Sequence, residues 1–293
     1  MKLQGIFPPI TTPFDHAGTL YATKVQHNVE KWNRTTLAGY VVCGSTGETP
    51  FLSAEEKYTL WELVAKSAAP EKILIAGTGV DGVLETVCLT NRAADLGYKA
   101  ALVLTPHYFK AQMNRPETQT LYFRSVADRS KIPVLIYHFP QVTGVELTAD
   151  TIAKLSEHPN IIGMKDSSGN VEKIMHVLRD AKPGFQVLVG SAQILWPSLL
   201  MGASGGILAY ANAAPYSAIA IWEAYRTREE EAARDWQTRV GRAATVVTKY
   251  GIPGLKHAMD LNGYYGGPPR LPMSVPSSEA KKEIEVAFKD LNG

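Results

Sequence analysis

The sequence predicts an α/β protein, a (β/α)8 TIM barrel carrying a C-terminal helical extension. Two observations carry this reading. Eight apolar runs of four to six residues, rich in Val, Ile or Leu, alternate with amphipathic stretches over about 220 residues, as parallel strands covered by helices do. After the eighth run the pattern turns to helix alone. Periodicity by itself does not say whether a sheet closes, so a doubly wound open sheet stays the alternative at this level.

The strand runs are 5–9, 39–43, 73–77, 100–105, 134–139, 161–165, 186–190 and 206–210. Amphipathic helices are expected at 53–68, 84–95, 117–129 and 148–157. Ser53 and Glu56 have the spacing of a capping box, and Thr148 stands where a helix would begin. The later helices are expected at 213–227, 229–249, 253–261 and 277–291, with Pro253 suited to a first turn. Residues 1–225 read as the barrel and 226–293 as the extension. No Gly/Ser-rich linker separates them, so the extension is expected to pack on the barrel.

Composition narrows the function. Of 293 residues, 45% are hydrophobic and 20% charged, and 30 Lys plus Arg against 28 Asp plus Glu leave a net charge of +2. That is the balance of a globular protein with a sizeable core, not of a disordered chain, a coiled coil or a fibre. It also argues against a dedicated nucleic-acid binder, which would carry a concentrated basic face. No stretch reaches the ~18 apolar residues of a membrane span, and the N-terminus has no apolar signal core. Cys43 and Cys88, each in an apolar stretch, read as buried small hydrophobes in a reducing, cytoplasmic setting.

Several motifs are decoys. Gly77-Thr-Gly79-Val-Asp-Gly82 matches the dinucleotide fingerprint, but the next strand ends Leu104-Thr105-Pro106 and lacks the acidic residue a ribose needs. A glycine-rich strand-to-helix loop is the better reading. The seven histidines show no metal-ligand spacing, although His107 and His138 lie near strand ends. The serine nucleophile elbow Gly-x-Ser-x-Gly is missing too.

Lys165 stands out. It ends an apolar run, Ile161-Ile-Gly-Met164, and the C-terminal ends of barrel strands are where chemistry occurs. Gly163, two residues earlier on the same face, would leave open space beside the lysine stem. Lys72 and Lys99 merely precede their strands, where solvent is expected. Lys165 is either half of an ion pair, with Asp166 for example, or an amine that attacks a carbonyl to form a Schiff base. Burial favours the uncharged amine that attack requires. Two further strand ends bring polar groups to the same rim. Gly44-Ser45-Thr46-Gly47-Glu48 offers hydroxyls and closely spaced N–H groups for a carboxylate, or is a plain turn. Tyr137 interrupts the fifth run one strand before the lysine, as a core aromatic or a proton shuttle.

These elements, with Thr105-Pro-His-Tyr108, Tyr137-His-Phe-Pro140, Gly163-Met-Lys165-Asp-Ser167, Gly205-Gly-Ile207, Ala211-Asn212 and Arg270-Leu-Pro-Met273, resemble the dihydrodipicolinate synthase/N-acetylneuraminate lyase family of pyruvate-dependent class I aldolases. The resemblance spans essentially the whole chain and favours the closed barrel. It implies a homotetramer of tight dimers, a small 2-oxo acid substrate (pyruvate), and no metal or organic cofactor. By position, Lys165 would form the imine, and Tyr137 would move protons. Ser45 would link Tyr137 to Tyr108, which would reach a neighbouring subunit's site. Thr46 would hold the carboxylate, Ile207 would offer its backbone carbonyl near the imine, and Gly190 would border the substrate.

In the synthase branch an arginine after the Tyr-x-x-Pro motif usually binds aspartate semialdehyde, whereas this chain has Val142. The stretches 158–167 and 251–256, with Gly263-Tyr-Tyr-Gly-Gly267, look closest to 4-hydroxy-2-oxoglutarate aldolase, in which Ser167 would join the site. Cleavage of that compound to pyruvate and glyoxylate is the expected activity. Synthesis from aspartate semialdehyde is the alternative, and a non-catalytic 2-oxo acid-binding barrel the alternative of another class.

Overall fold

A computed structural model describes residues 1–291; positions 292 and 293 of the expected extension lie outside the described residues. Eight parallel strands form one sheet in the order β1-β8-β7-β6-β5-β4-β3-β2. They are β1 (Gly5–Phe7), β2 (Gly39–Val42), β3 (Ile73–Gly77), β4 (Ala100–Leu104), β5 (Val134–His138), β6 (Ile161–Asp166), β7 (Gln186–Val189) and β8 (Gly205–Ile207). β1 meets β2 through Ala38 N–H to Ile6 O and Ile10 N–H to Val41 O, both 2.9 Å, and Val41 N–H to Pro8 O at 3.0 Å. The ring therefore closes, and the open sheet is excluded.

Two strands are shorter than their runs for one reason. Pro8 and Pro9 have no N–H to give a neighbour, so β1 and its partner β8 end together at Phe7 and Ile207. The expected run 206–210 becomes a short strand and then a 3-10 turn, Ala209–Asn212. The Asn212 side chain ties this turn to β1, donating to Pro9 O at 2.9 Å and accepting from Thr11 N–H at 3.1 Å.

Between the strands run α1 (Ala22–Asn33), α2 (Ala54–Ser67), α3 (Val83–Asp95), α4 (Lys110–Met113), α5 (Pro116–Ala127), α6 (Pro140–Thr143), α7 (Ala149–Ser156), α8 (Val171–Asp180), α9 (Leu195–Leu200) and α10 (Pro215–Thr227). Ser53 and Glu56 exchange both capping-box bonds, at 2.9 and 3.2 Å, and Thr148 caps α7. Side chains alternate across each strand. In β5, Leu135 and Tyr137 join Phe7, Val41, Leu102 and Leu188 inside the barrel, while Val134 and Ile136 pack outward under the helices.

The last two helices are α11 (Glu230–Leu261) and α12 (Ser278–Phe288). α11 merges the two helices expected at 229–249 and 253–261. Gly251 breaks it at φ +62°, ψ −152°, a conformation that favours glycine, and Pro253 follows where a missing N–H is harmless. α11 crosses the C-terminal ends of β7 and β8, with Gln237 donating to Ala192 O at 2.8 Å and accepting from Trp196 N–H at 2.7 Å.

Three expectations fail. Cys88 is exposed, because α3 turns Val87 and Leu89 inward and leaves position 88 outside. Lys72 is buried, its ammonium donating to Thr35 O at 2.7 Å and Leu37 O at 3.0 Å, and burial lowers its pKa. Gly163 leaves no open space, since a side chain there would collide with the Gln186 backbone of β7.

Candidate active site

A cavity of about 1130 Å³ opens at the C-terminal ends of the strands, and Ser45, Thr46, Tyr137, Lys165, Ser167 and Gly190 all line it. Strand register assembles the centre. β5 and β6 place Tyr137 opposite Lys165, and β6 and β7 place Lys165 opposite Leu188. Both side chains then point into the barrel. Lys165 is 4% exposed, and its Nζ lies 4.2 Å from the centroid of the Tyr137 ring. Lys165 makes no ion pair among the described residues. Asp166, its expected alternative partner, instead meets His138 Nδ1 at 2.7 Å.

Gly190 is small because it must be. A methyl there would overlap Ser167 Oγ and sit 3.0 Å from Lys165 Cε. Ser45 Oγ lies 3.4 Å from Tyr137 OH. Its loop forms a 3-10 turn whose own bonds engage the Gly47 and Glu48 amides, at 2.9 and 3.0 Å. Amides at the start of such a turn have no partner inside it.

The loop is held from behind. Thr12 Oγ1 donates to Gly47 O at 2.6 Å. The buried Glu48 carboxylate accepts from Arg270 N–H at 2.8 Å and pairs with Lys256 Nζ at 2.5 Å. Lys256 also donates to Thr12 O and Pro268 O, both at 2.9 Å. Burial lowers its pKa, and the Glu48 charge partly opposes that effect.

Two expected site residues stand apart from this cavity. Ile207 is buried in the barrel interior and does not line it. Tyr108 is 77% exposed on the outer surface, edge-on to Phe109 at 5.1 Å, with its N–H bound to Asp81 Oδ1 at 3.0 Å. Within one chain, therefore, only the Ser45–Tyr137 part of the expected link is present. The mouth also has a wall that sequence reasoning missed, formed by 250–253 at the α11 break and by 272–277. Gly251-Ile-Pro253 and the Pro272-Met273 end of the Arg270 motif were its sequence signals. Phe139 stacks on Tyr137 at 5.8 Å, and Val142, 55% exposed, lines the outer half of the cavity.

Two of the three glycines of the dinucleotide-like motif have packing reasons, while Gly82 faces open space. Side chains at Gly77 and Gly79 would collide with the backbones of Cys43 and Leu104. Among the described residues, no three His, Cys, Asp or Glu side chains gather as metal ligands, and no helix is long and apolar enough to cross a membrane.

The closed barrel, with a buried lysine facing a tyrosine at the wall of its mouth cavity, is that of an enzyme of the aldolase and lyase class, as its relatives show. The sequence profile of the dihydrodipicolinate synthetase family matches residues 2–291, and the chain belongs to that family. A 4-hydroxy-tetrahydrodipicolinate synthase of Methanothrix thermoacetophila is 36% identical over 99% of this chain and 98% of its own. An Emericella nidulans protein named "Probable 4-hydroxy-2-oxoglutarate aldolase, mitochondrial" is 34% identical over 98% and 94%. The solved dihydrodipicolinate synthase of Aquifex aeolicus superposes with a TM-score of 0.92 at 29% identity, covering 98% of this chain and 97% of the other.

Proposed function

We propose that this enzyme makes and breaks a carbon–carbon bond to pyruvate through an imine on Lys165. The observation that carries the reading is the buried Lys165 side chain beside Tyr137 at the wall of the large mouth cavity. The amine adds to the 2-oxo carbon and water leaves, giving a protonated imine. Thr46 and the amides that open its turn hold the adjacent carboxylate. In cleavage, the Tyr137 phenolate, left when its hydroxyl gave a proton to the departing water, takes the proton of the 4-hydroxyl and later returns it to C3, while the C3–C4 bonding pair moves into the imine. An aldehyde departs and an enamine remains. Protonation at C3 and hydrolysis then release pyruvate and restore Lys165. Ser45 orients the Tyr137 hydroxyl, and no metal or organic cofactor enters the scheme.

For the aldehyde half, 4-hydroxy-2-oxoglutarate is the preferred substrate, yielding glyoxylate with pyruvate. Ser167, close against Gly190 and Lys165, supports a short distal carboxylate beside C4. Val142 gives no guanidinium for the longer aspartate semialdehyde. The exposed Tyr108–Phe109 pair fits assembly into tight dimers and a homotetramer, in which Tyr108 completes a neighbour's Ser45–Tyr137 link. The test is reduction with borohydride in the presence of pyruvate. One pyruvyl adduct on Lys165, with loss of activity, is expected; an adduct elsewhere or none overturns the mechanism.

A further inference from the structure

Behind the Tyr137–Lys165 pair, the next residues of the same two strands also face one another. β5 and β6 place His138 opposite Asp166, on the outward side of the sheet, and both are buried at 0% and 1% exposure. Asp166 as a carboxylate only accepts, so His138 Nδ1–H donates to its Oδ2, at 2.7 Å. The other carboxylate oxygen, Oδ1, accepts from Ser168 N–H at 3.0 Å and Ser168 Oγ–H at 2.6 Å. Ser168 Oγ in turn accepts from Asn170 N–H at 3.1 Å, and Ser167 N–H donates to His138 O at 2.9 Å. Gln141 Nε2 adds a bond to Ser168 O at 2.7 Å. Loop 167–170 is thereby tied to a buried pair that does not line the cavity, while Ser167, Ser168 and Gly169 form its wall.

We infer that His138 and Asp166 are positioning residues for the second half of the substrate. They fix the hydroxyls of Ser167 and Ser168 where the group beyond C4 must lie. The inference rests on the proposed imine chemistry, yet it concerns a different step. Imine formation with pyruvate needs the strand-borne Lys165 and Tyr137, with Ser45 from the turn after β2, whereas aldehyde binding needs loop 167–170. His138 Nε2 faces Glu146 Oε2 at 3.4 Å and makes no hydrogen bond there, so the Nδ1 contact is the one that matters. Glu146 itself is paired with Lys173.

The test exploits the two amides that mimic the two ring nitrogens. His138→Asn keeps an N–H donor near the Nδ1 position, and His138→Gln moves it to the Nε2 position, with both side chains polar enough for the buried site. With 4-hydroxy-2-oxoglutarate, His138→Gln should raise KM roughly tenfold or more, the scale for one charged hydrogen bond, with kcat changed far less. His138→Asn should stay within about threefold of the unmutated enzyme. Borohydride trapping of pyruvate should proceed at the same rate in all three proteins. Equal KM values for the Asn and Gln variants, or a loss confined to kcat, overturn the inference. Slowed trapping in either variant overturns it as well. A failure of trapping in the unmutated protein would instead sink the imine mechanism itself.

Discussion

Gly190→Ala puts one methyl group against the centre of the site. The Gly190 N–H is bound to Asp166 O at 2.6 Å, so the backbone that carries the methyl cannot swing away. The methyl carbon would overlap Ser167 Oγ and stand 3.0 Å from Lys165 Cε. Carbon atoms in ordinary contact are about 3.5–4.0 Å apart, so the lysine stem must retreat by roughly 0.5–1 Å and the serine hydroxyl by more. A displacement of about 1 Å at a reacting group costs on the order of 100-fold in rate, whereas an overpacked methyl destabilises a fold by about 1–3 kcal/mol. The variant should therefore fold, melt a few degrees lower, and lose about 100-fold in kcat/KM for pyruvate-releasing cleavage. Borohydride trapping should slow in parallel. Ser167→Ala in the same chain removes the overlapping Oγ and leaves only the lysine contact, so the double variant should recover part of the loss in a double-mutant cycle. Unchanged trapping and unchanged kcat/KM in Gly190→Ala would refute the placement of Lys165 and Ser167 as the reacting and binding groups.

Val142→Arg supplies the guanidinium that the outer cavity lacks, and each charged bond contributes about 1.5–3 kcal/mol. The ratio of kcat/KM for aspartate semialdehyde condensation to that for 4-hydroxy-2-oxoglutarate cleavage should rise roughly tenfold or more; an unmutated enzyme that already favours condensation would contradict the substrate choice. A separate expectation concerns alkaline pH. Burial raises the phenol pKa of Tyr40, Tyr98 and Tyr122 above the ordinary value. With the folded value the higher, their stabilisation is intact below pH about 10 and is lost as pH rises further. Melting temperature should fall above that point, and the tyrosinate absorbance of these residues should appear with unfolding. Their complete ionisation in the folded enzyme would contradict the burial.

Strand periodicity carried most of the fold because each apolar run is local, and the chemistry at strand ends was readable for the same reason. Lys165 and Tyr137 announce themselves as polar residues ending apolar runs. Contacts that depend on register were not readable. His138 and Asp166 meet because β5 and β6 pair across a shift between Val134 and Leu135, which no single-strand pattern records. Glycines misled for a related reason. Gly163 looked like open space, yet the β7 backbone fills it, and Gly190 matters through what its neighbours need. The wall at 250–253 and 272–277 was hidden because it arises from a helix crossing the barrel mouth, a tertiary event.

The two halves of the cavity rest on different kinds of structure. The half proposed for imine formation stands on strand ends, with Lys165 and Tyr137 fixed by register and Gly190 by close packing. The half proposed for the aldehyde is built from the short helix bearing Val142, loop 167–170 and the α11 break. Rigid strands tolerate little change, but loops and helix ends can be rebuilt without disturbing them. A synthase and an aldolase name therefore attach to relatives at 36% and 34% identity, a difference too small to assign either activity. Overall similarity is dominated by the barrel and its lysine, which both activities would share. On the proposed reading the substrate is decided by a few positions in the other half, and Val142 there and the buried His138 behind it are the residues to measure.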